Sequence, residues 1–138
     1  MEDLCEVLAR THRIAVLGIK TDVASGQPAF YVPQYLQNAG FEIVPVPVYY
    51  PEATEILGQR VYRKLVDVPG DLDLVDVFRR PTDLAGHLDD LLAKKPKYVW
   101  LQLGIRNDEF AAALERAGIG VIQDRCIMVE HRACQAKR

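Results

Sequence analysis

Apolar runs and helical periods alternate along this chain. Ile14 to Leu17 is apolar at every position and rich in branched residues, which suits a strand buried on both faces of a parallel sheet. Phe41 to Val48 reads as a second strand, with Pro45 and Pro47 toward its end, where ladder bonds are given up at little cost. Leu74 to Phe78, Tyr98 to Leu103 and Gly120 to Gln123 read as three more. Between them lie helical spacings. Leu4, Val7 and Leu8 mark a helix in Glu2 to Ala9. Leu84, Leu88, Leu91 and Leu92 mark one over Pro81 to Ala93, with Thr82 as its expected N-cap. Asn107 to Ala117 carries an N-cap asparagine, acidic Asp108 and Glu109 in its first turn, and Gly118 just past its end. Pro28 suits the first turn of a further helix that stops at Gly40. Pro33 is expected to kink that helix or to mark where its regular part starts.

The segment from Pro51 to Leu57 reads as loop, and Gly58 to Leu65 as a short strand or turn. Strands and helices thus alternate from end to end. That alternation predicts an α/β fold with a doubly wound parallel sheet of about five strands, as one domain over residues 1–138. In such sheets ligands lie beyond the carboxyl ends of the strands, near the switch point. The loops that matter are Gly18–Pro28, Pro47–Thr54, Phe78–Thr82, Gly104–Asp108 and Asp124–Met128.

Charge and cysteine content narrow the partners. The net charge is -2 and no long basic run occurs, so nucleic acid is not expected. The end from His131 to Arg138 reads as a solvated tail. The N-terminus lacks the basic and apolar regions of a signal peptide, and no apolar run reaches the ~18 residues that cross a bilayer. A cytoplasmic protein away from membranes is therefore expected. Cys5, Cys126 and Cys134 are odd in number and without a C-x-x-C pair, which argues against a disulfide framework and a zinc site. His12, His87 and His131 share no ligand spacing and read as surface histidines, so no metal is expected.

The loop "GIKTDVASGQP" places a helix start where a phosphate could sit. It is not a Walker loop: Ile19 precedes Lys20-Thr21 where a glycine is required, and Ile14 stands at the first glycine position. Nor is it the dinucleotide fingerprint. Gly18 stands alone until Gly26, and the second strand ends "VPVYYPE" with no carboxylate at its tip. What remains is a longer loop. Gly18 permits a tight exit from the strand, Lys20 adds charge, and the backbone N–H groups of Ser25, Gly26 and Gln27 precede a positive helix end. The same stretch also suits an ordinary strand-to-helix loop with Ser25 as N-cap. At the other strand ends, "DVFRRP" supplies Phe78, Arg79 and Arg80, "LQLGIRND" supplies Gly104, and "QDRC" supplies Cys126, either a small buried hydrophobe or a reactive thiol.

The stretches "IAVLG", "GFEIVPVPV", "LVDVFRRP", "VWLQLGI" and "AGIGVIQDRC" follow one another over roughly residues 12 to 130. In that order they resemble the stand-alone CoA-binding proteins, relatives of the CoA-binding domain of succinyl-CoA synthetase α subunits and of ADP-forming acyl-CoA synthetases. The resemblance implies a Rossmann-like fold holding coenzyme A across the strand ends. It implies that the diphosphate meets Gly18, Ile19, Lys20, Thr21, Ser25, Gly26 and Gln27. The adenosine would sit toward Val46, Pro47 and Tyr49. The pantetheine arm would pass Phe78, Arg79, Arg80 and Pro81, then Gly104, Ile105 and Arg106, with Cys126 at the end of the fifth strand. Two places depart from the family pattern. The first loop begins Gly-Ile-Lys where Gly-Ala-Ser is common, and Tyr49 and Tyr50 stand where a lysine is common. A tyrosine stacks on adenine but gives no cation to a phosphate.

Succinyl-CoA synthetases work through a phosphorylated histidine and a nucleotide-grasping unit, which the resemblance does not extend to. No G-x-S-x-G elbow occurs either. The expected function is binding of coenzyme A or an acyl-CoA without catalysis, with room for an unidentified protein partner. Two other readings stay open: an NAD(P)- or nucleotide-sensing Rossmann module, and a thiol protein that forms a mixed disulfide with CoA through Cys126.

Overall fold

The computed structural model describes residues 3–137. Glu2, at the start of the expected first helix, and Arg138, at the end of the expected tail, lie outside the described residues. Five parallel strands form the main sheet: β1 (Arg13–Leu17), β2 (Glu42–Val46), β5 (Leu74–Val77), β6 (Tyr98–Leu101) and β7 (Gly120–Ile122). Their order is β2-β1-β5-β6-β7. The fold is the expected Rossmann-like doubly wound α/β sheet, with its switch point between β1 and β5, where the order reverses.

Alternation along the strands builds two cores. Ala15 and Leu17 of β1, with Val75, Val77, Val99 and Leu101, face Leu91 of α3 (Leu88–Lys94) and Leu114 of α4 (Asp108–Arg116). Ile14 and Val16, with Leu74 and Trp100, face the other way. They meet α1 (Leu4–Ala9), α2 (Pro28–Asn38) and α5 (Ile127–Ala136). Helices thus cover both faces, which is why the strands are apolar at nearly every position.

The prolines are placed as their chemistry allows. Pro28 opens α2, and Pro33 lies buried within it without ending it. Pro45 lies in the edge strand β2, opposite Val16 in register, and its carbonyl accepts from Tyr62 N–H at 3.0 Å. The expected N-cap at Asn107 is present: its side chain accepts from Phe110 N–H at 3.0 Å.

Several expectations are corrected. The segment after Pro81 starts as a 3₁₀ helix, Pro81–His87, capped by Arg80 rather than Thr82, and becomes α-helical only at Leu88. Gly86, a weak helix former, lies at that join. Gln59–Arg60 (β4) is the short strand expected within Gly58 to Leu65, but it pairs with Glu55–Ile56 (β3), inside the expected loop, as a small hairpin. Its two turn residues, Leu57 and Gly58, both have positive φ, the twist that tight hairpins require. The end read as a solvated tail is α5. Its buried positions Ile127, His131 and Cys134 recur at helical spacing, a pattern hidden because two of the three are not aliphatic. Nor is His131 a surface histidine: its Nδ1 lies 2.7 Å from Tyr35 Oη, and Phe41 packs edge-on against its ring.

Cys5 and Cys134 are joined by a disulfide across 129 positions, with their Cα atoms 5.4 Å apart. Sequence spacing could not show this, because it arises from the packing of α1 on α5. Cys126 is a free thiol. Among the described residues no helix is long and apolar enough to cross a membrane, and no cluster of three His, Cys, Asp or Glu is placed to hold a metal.

Candidate ligand cleft at the strand ends

Gly18 ends β1 with φ +89° and donates its N–H to the Val46 carbonyl at 2.9 Å. A Cβ there would lie 2.3 Å from the Phe78 carbonyl oxygen. Only a glycine lets the exits of β1 and β5 come so close. That approach brings Lys20 and Arg79 to one cleft of about 610 Å³ beyond the carboxyl ends of the strands.

The first loop is more self-contained than its sequence suggests. Asp22–Ala24 forms a 3₁₀ turn, and the N–H groups of Ser25 and Gln27 donate to Asp22 and Ala24 carbonyls at 3.1 and 2.9 Å. Those two expected phosphate donors are therefore engaged within the loop. Ser25 is not the N-cap of α2; Gln27 is, and its side chain caps no backbone N–H. Its Oε1 instead accepts from Lys20 Nζ, which holds that ammonium beside the cleft. Gln27, Pro28 and Ala29, at the positive end of α2, complete this wall.

The opposing wall is the turn after β5. Arg79 is mostly buried and held from three sides. Its Nε–H donates to His87 Nε2 at 3.2 Å, its guanidinium lies 3.6 Å from the Asp83 carboxylate, and the Tyr49 ring lies 5.8 Å away. Arg80 is exposed and donates to the same Asp83 at 2.9 Å. The hydrogen bond from Arg80 holds Asp83 below the usual carboxylate range. Arg79 and Arg80 thus share one carboxylate, and Lys20 is bonded to the uncharged Gln27, which leaves an excess of positive charge facing the cleft. Burial, reinforced by the Arg79 charge, pushes the His87 pKa below its usual value, so the imidazole is neutral and accepts from Arg79.

At the ends of β6 and β7 the lining changes character. Leu103, Ile105 and Gly104 come from one strand exit, and Cys126, Met128 and Val129 from the other. Asp124, itself at φ +59°, accepts the Gly104 N–H at 2.7 Å and ties the two exits together. Gln102 is buried and accepts the Ile127 N–H at 3.1 Å, while Trp100 Nε1 donates to the Arg125 carbonyl at 2.8 Å. These two bonds fix the start of α5 and so the position of Cys126.

Of the residues singled out from sequence, the cleft brings together Lys20, Gln27, Phe78, Arg79, Arg80, Pro81, Gly104, Ile105 and Cys126. Tyr49 joins them through Arg79. Others are placed elsewhere. Ile19, Val46 and Pro47 are buried. Ser25 and Gly26 are exposed on the loop, and Thr21 faces the β3–β4 hairpin. Arg106 pairs with Asp108 at 3.1 Å on the far side of β7. Sequence reading missed Tyr31, Gln102, Leu103, Met128 and Val129, which also line the cleft. A polar Gln102 inside the run "YVWLQL" was the available signal. It also missed Arg63, whose guanidinium donates to the carbonyls of Tyr49, Tyr50 and Ala53 at 3.1, 2.7 and 3.0 Å and pins the loop after β2.

A second groove, about 660 Å³, lies at the amino ends of the strands among Arg10, Asp73, Lys97 and Glu115. There Lys97 is paired with Asp73 at 3.2 Å, and the lining charges balance. It has neither the excess cations nor the switch-point position of the cleft.

The family model for the CoA binding domain matches residues 12–132. The YneT protein of Bacillus subtilis strain 168 is 35% identical over 129 residues, 94% of this chain and 92% of that one. The solved structure of cell-free ID.343 from Thermus thermophilus is 43% identical, with a TM-score of 0.88 over 97% of this chain and 99% of that one. The dinucleotide-forming acetyl-coenzyme A synthetase 1 of Ca. Korarchaeum cryptofilum shares the fold, at 23% identity and a TM-score of 0.71. That match covers 88% of this chain and 27% of the synthetase. By its sequence from β1 to α5, and by the fold those residues adopt, this chain belongs to the CoA-binding domain family.

Proposed function

We propose that this protein binds coenzyme A, free or acylated, in the cleft at the strand ends, and performs no ligation itself. The observation that carries the reading is that Lys20, Arg79 and Arg80, with the single Asp83 carboxylate between the two arginines, line one cleft at the switch point of a CoA-binding domain. Charge-assisted contacts from such cations suit a diphosphate. Tyr49, exposed beside Arg79, offers a face for an adenine. The less polar lining beyond Arg80 suits the uncharged pantetheine arm, whose end would approach Cys126.

Two features support binding over catalysis. The imidazole at the cleft, His87, has its Nε2 engaged by Arg79, and among the described residues no base is hydrogen-bonded to the Cys126 thiol. Nucleophilic catalysis needs such a pair. A thermal-shift comparison tests the reading. CoA at about a hundred times its Kd should stabilise the protein by about 2.7 kcal/mol. NAD and ATP should not. Equal stabilisation by all three would remove the claim of selectivity.

A further inference from the structure

The cleft is polarised along the sheet. Its cations follow β1 and β5: Lys20 on one exit, Arg79 and Arg80 on the other. None of the described residues that line its β6 and β7 end is charged. Arg106 is bound to Asp108, and Arg125 to Glu130 at 3.2 Å. At this uncharged end Leu103 and Val129 face solvent, and Tyr31 lines the cleft from α2. Leu103 is 70% exposed, Val129 52% and Tyr31 38%. All three line the same cleft as Cys126. Tyr31 lies one turn before Tyr35, which reaches α5 through its hydrogen bond to His131, so α2 and α5 carry this rim together.

An exposed leucine and valine beside a ligand cleft cost solvation unless something apolar covers them. The cleft's charge gradient says what that is. A ligand whose anionic end is held at β1 and β5 presents its opposite end here. We propose that the natural ligand is a CoA thioester with an apolar acyl chain, and that Tyr31, Leu103 and Val129 seat that chain. The inference rests on the CoA reading and names which form of CoA is bound. Free CoA would end in a thiol near Cys126 and leave the rim uncovered. A butyryl or hexanoyl group would extend past Cys126 across Leu103 and Val129.

The test is titration calorimetry of the intact chain with CoA, acetyl-CoA, butyryl-CoA and hexanoyl-CoA. Complete burial of a methylene raises affinity about fourfold, so affinity should rise about twofold per methylene on this half-open rim. A Leu103→Ser, Val129→Ser double variant should flatten that rise, read against the variant's own affinity for CoA. Both positions are exposed, so the fold should survive. Equal affinities across the series, with CoA binding intact, would overturn this inference alone. A rise that the double variant leaves unchanged would place the chain elsewhere and also overturn it. No binding of any member would overturn the proposed function and this inference with it. Sedimentation of the unliganded protein covers the remaining occupant. A dimer that the double variant dissociates, together with a flat series, would assign the rim to a second copy of the chain.

Discussion

The Nε–H of Arg79 donates to Nε2 of His87 at 3.2 Å, so a cleft cation is oriented by a neutral imidazole. Burial and the Arg79 charge lower the His87 pKa from its usual 6.5. The unfolded chain therefore takes up this proton at higher pH than the folded one. The stability this supplies is complete above pH 6.5 and is lost as pH falls through the folded value. An imidazole titration by NMR should place His87 below 6.5, and His87→Gln should remove this part of the acid-side slope. A His87 pKa at or above 6.5 would contradict the Arg79 contact.

Gly18 is fixed by two independent constraints, its φ of +89° and the Phe78 carbonyl 2.3 Å from where a Cβ would sit. Gly18→Ala should cost about 2–4 kcal/mol through strain and overpacking. It should also separate Lys20 from Arg79 and weaken ligand binding. Chemical denaturation checks the first effect. A variant as stable as the parent would show that β1 and β5 do not approach as described.

The sheet was legible in the sequence because strands buried on both faces are apolar throughout, as "IAVL" is, and because helix stops such as Gly118 are local. Arg79, Arg80 and Lys20 were also legible, since strand ends in a doubly wound sheet converge. What remained hidden depends on packing. Ser25 and Gln27 looked like open N–H donors until a 3₁₀ turn engaged them. α5 looked like a tail because His131 and Cys134 supply its buried face. Leu103 looked like the end of a strand, and its exposure at the cleft follows from where β6 stops, at Leu101.

Asp76 stands in the middle of β5, fully buried, with neither carboxyl oxygen hydrogen-bonded. Desolvation raises its pKa well above the usual 3.8. The folded state therefore keeps a proton that the unfolded state releases. Its contribution to stability is fully present below pH 3.8 and falls as pH rises toward the folded value. Asp76→Asn should remove this loss and flatten the stability profile on the alkaline side. An unchanged profile would mean that Asp76 is not a buried acid.

The bond between Cys5 and Cys134 closes nearly the whole chain into a loop. Chain-entropy arguments assign about 5 kcal/mol to so long a loop, and measured cases typically give about 2–4 kcal/mol. Reductant should lower the melting temperature of the oxidised protein and leave that of Cys5→Ser unchanged. Thiol titration of the denatured, unreduced protein should find Cys126 alone. Three reactive thiols together with no effect of reductant would show that Cys5 and Cys134 are not bonded.

The most direct measurement is calorimetric titration with CoA, desulfo-CoA and ADP, on the parent and on Arg80→Ala, a substitution at an exposed side chain. One saturable site for CoA is expected, with similar affinity for desulfo-CoA, weaker binding of ADP, and roughly tenfold weaker CoA binding in the variant, as for one charged hydrogen bond. No heat with CoA, or CoA binding that is indifferent to Arg80, would contradict the proposed function.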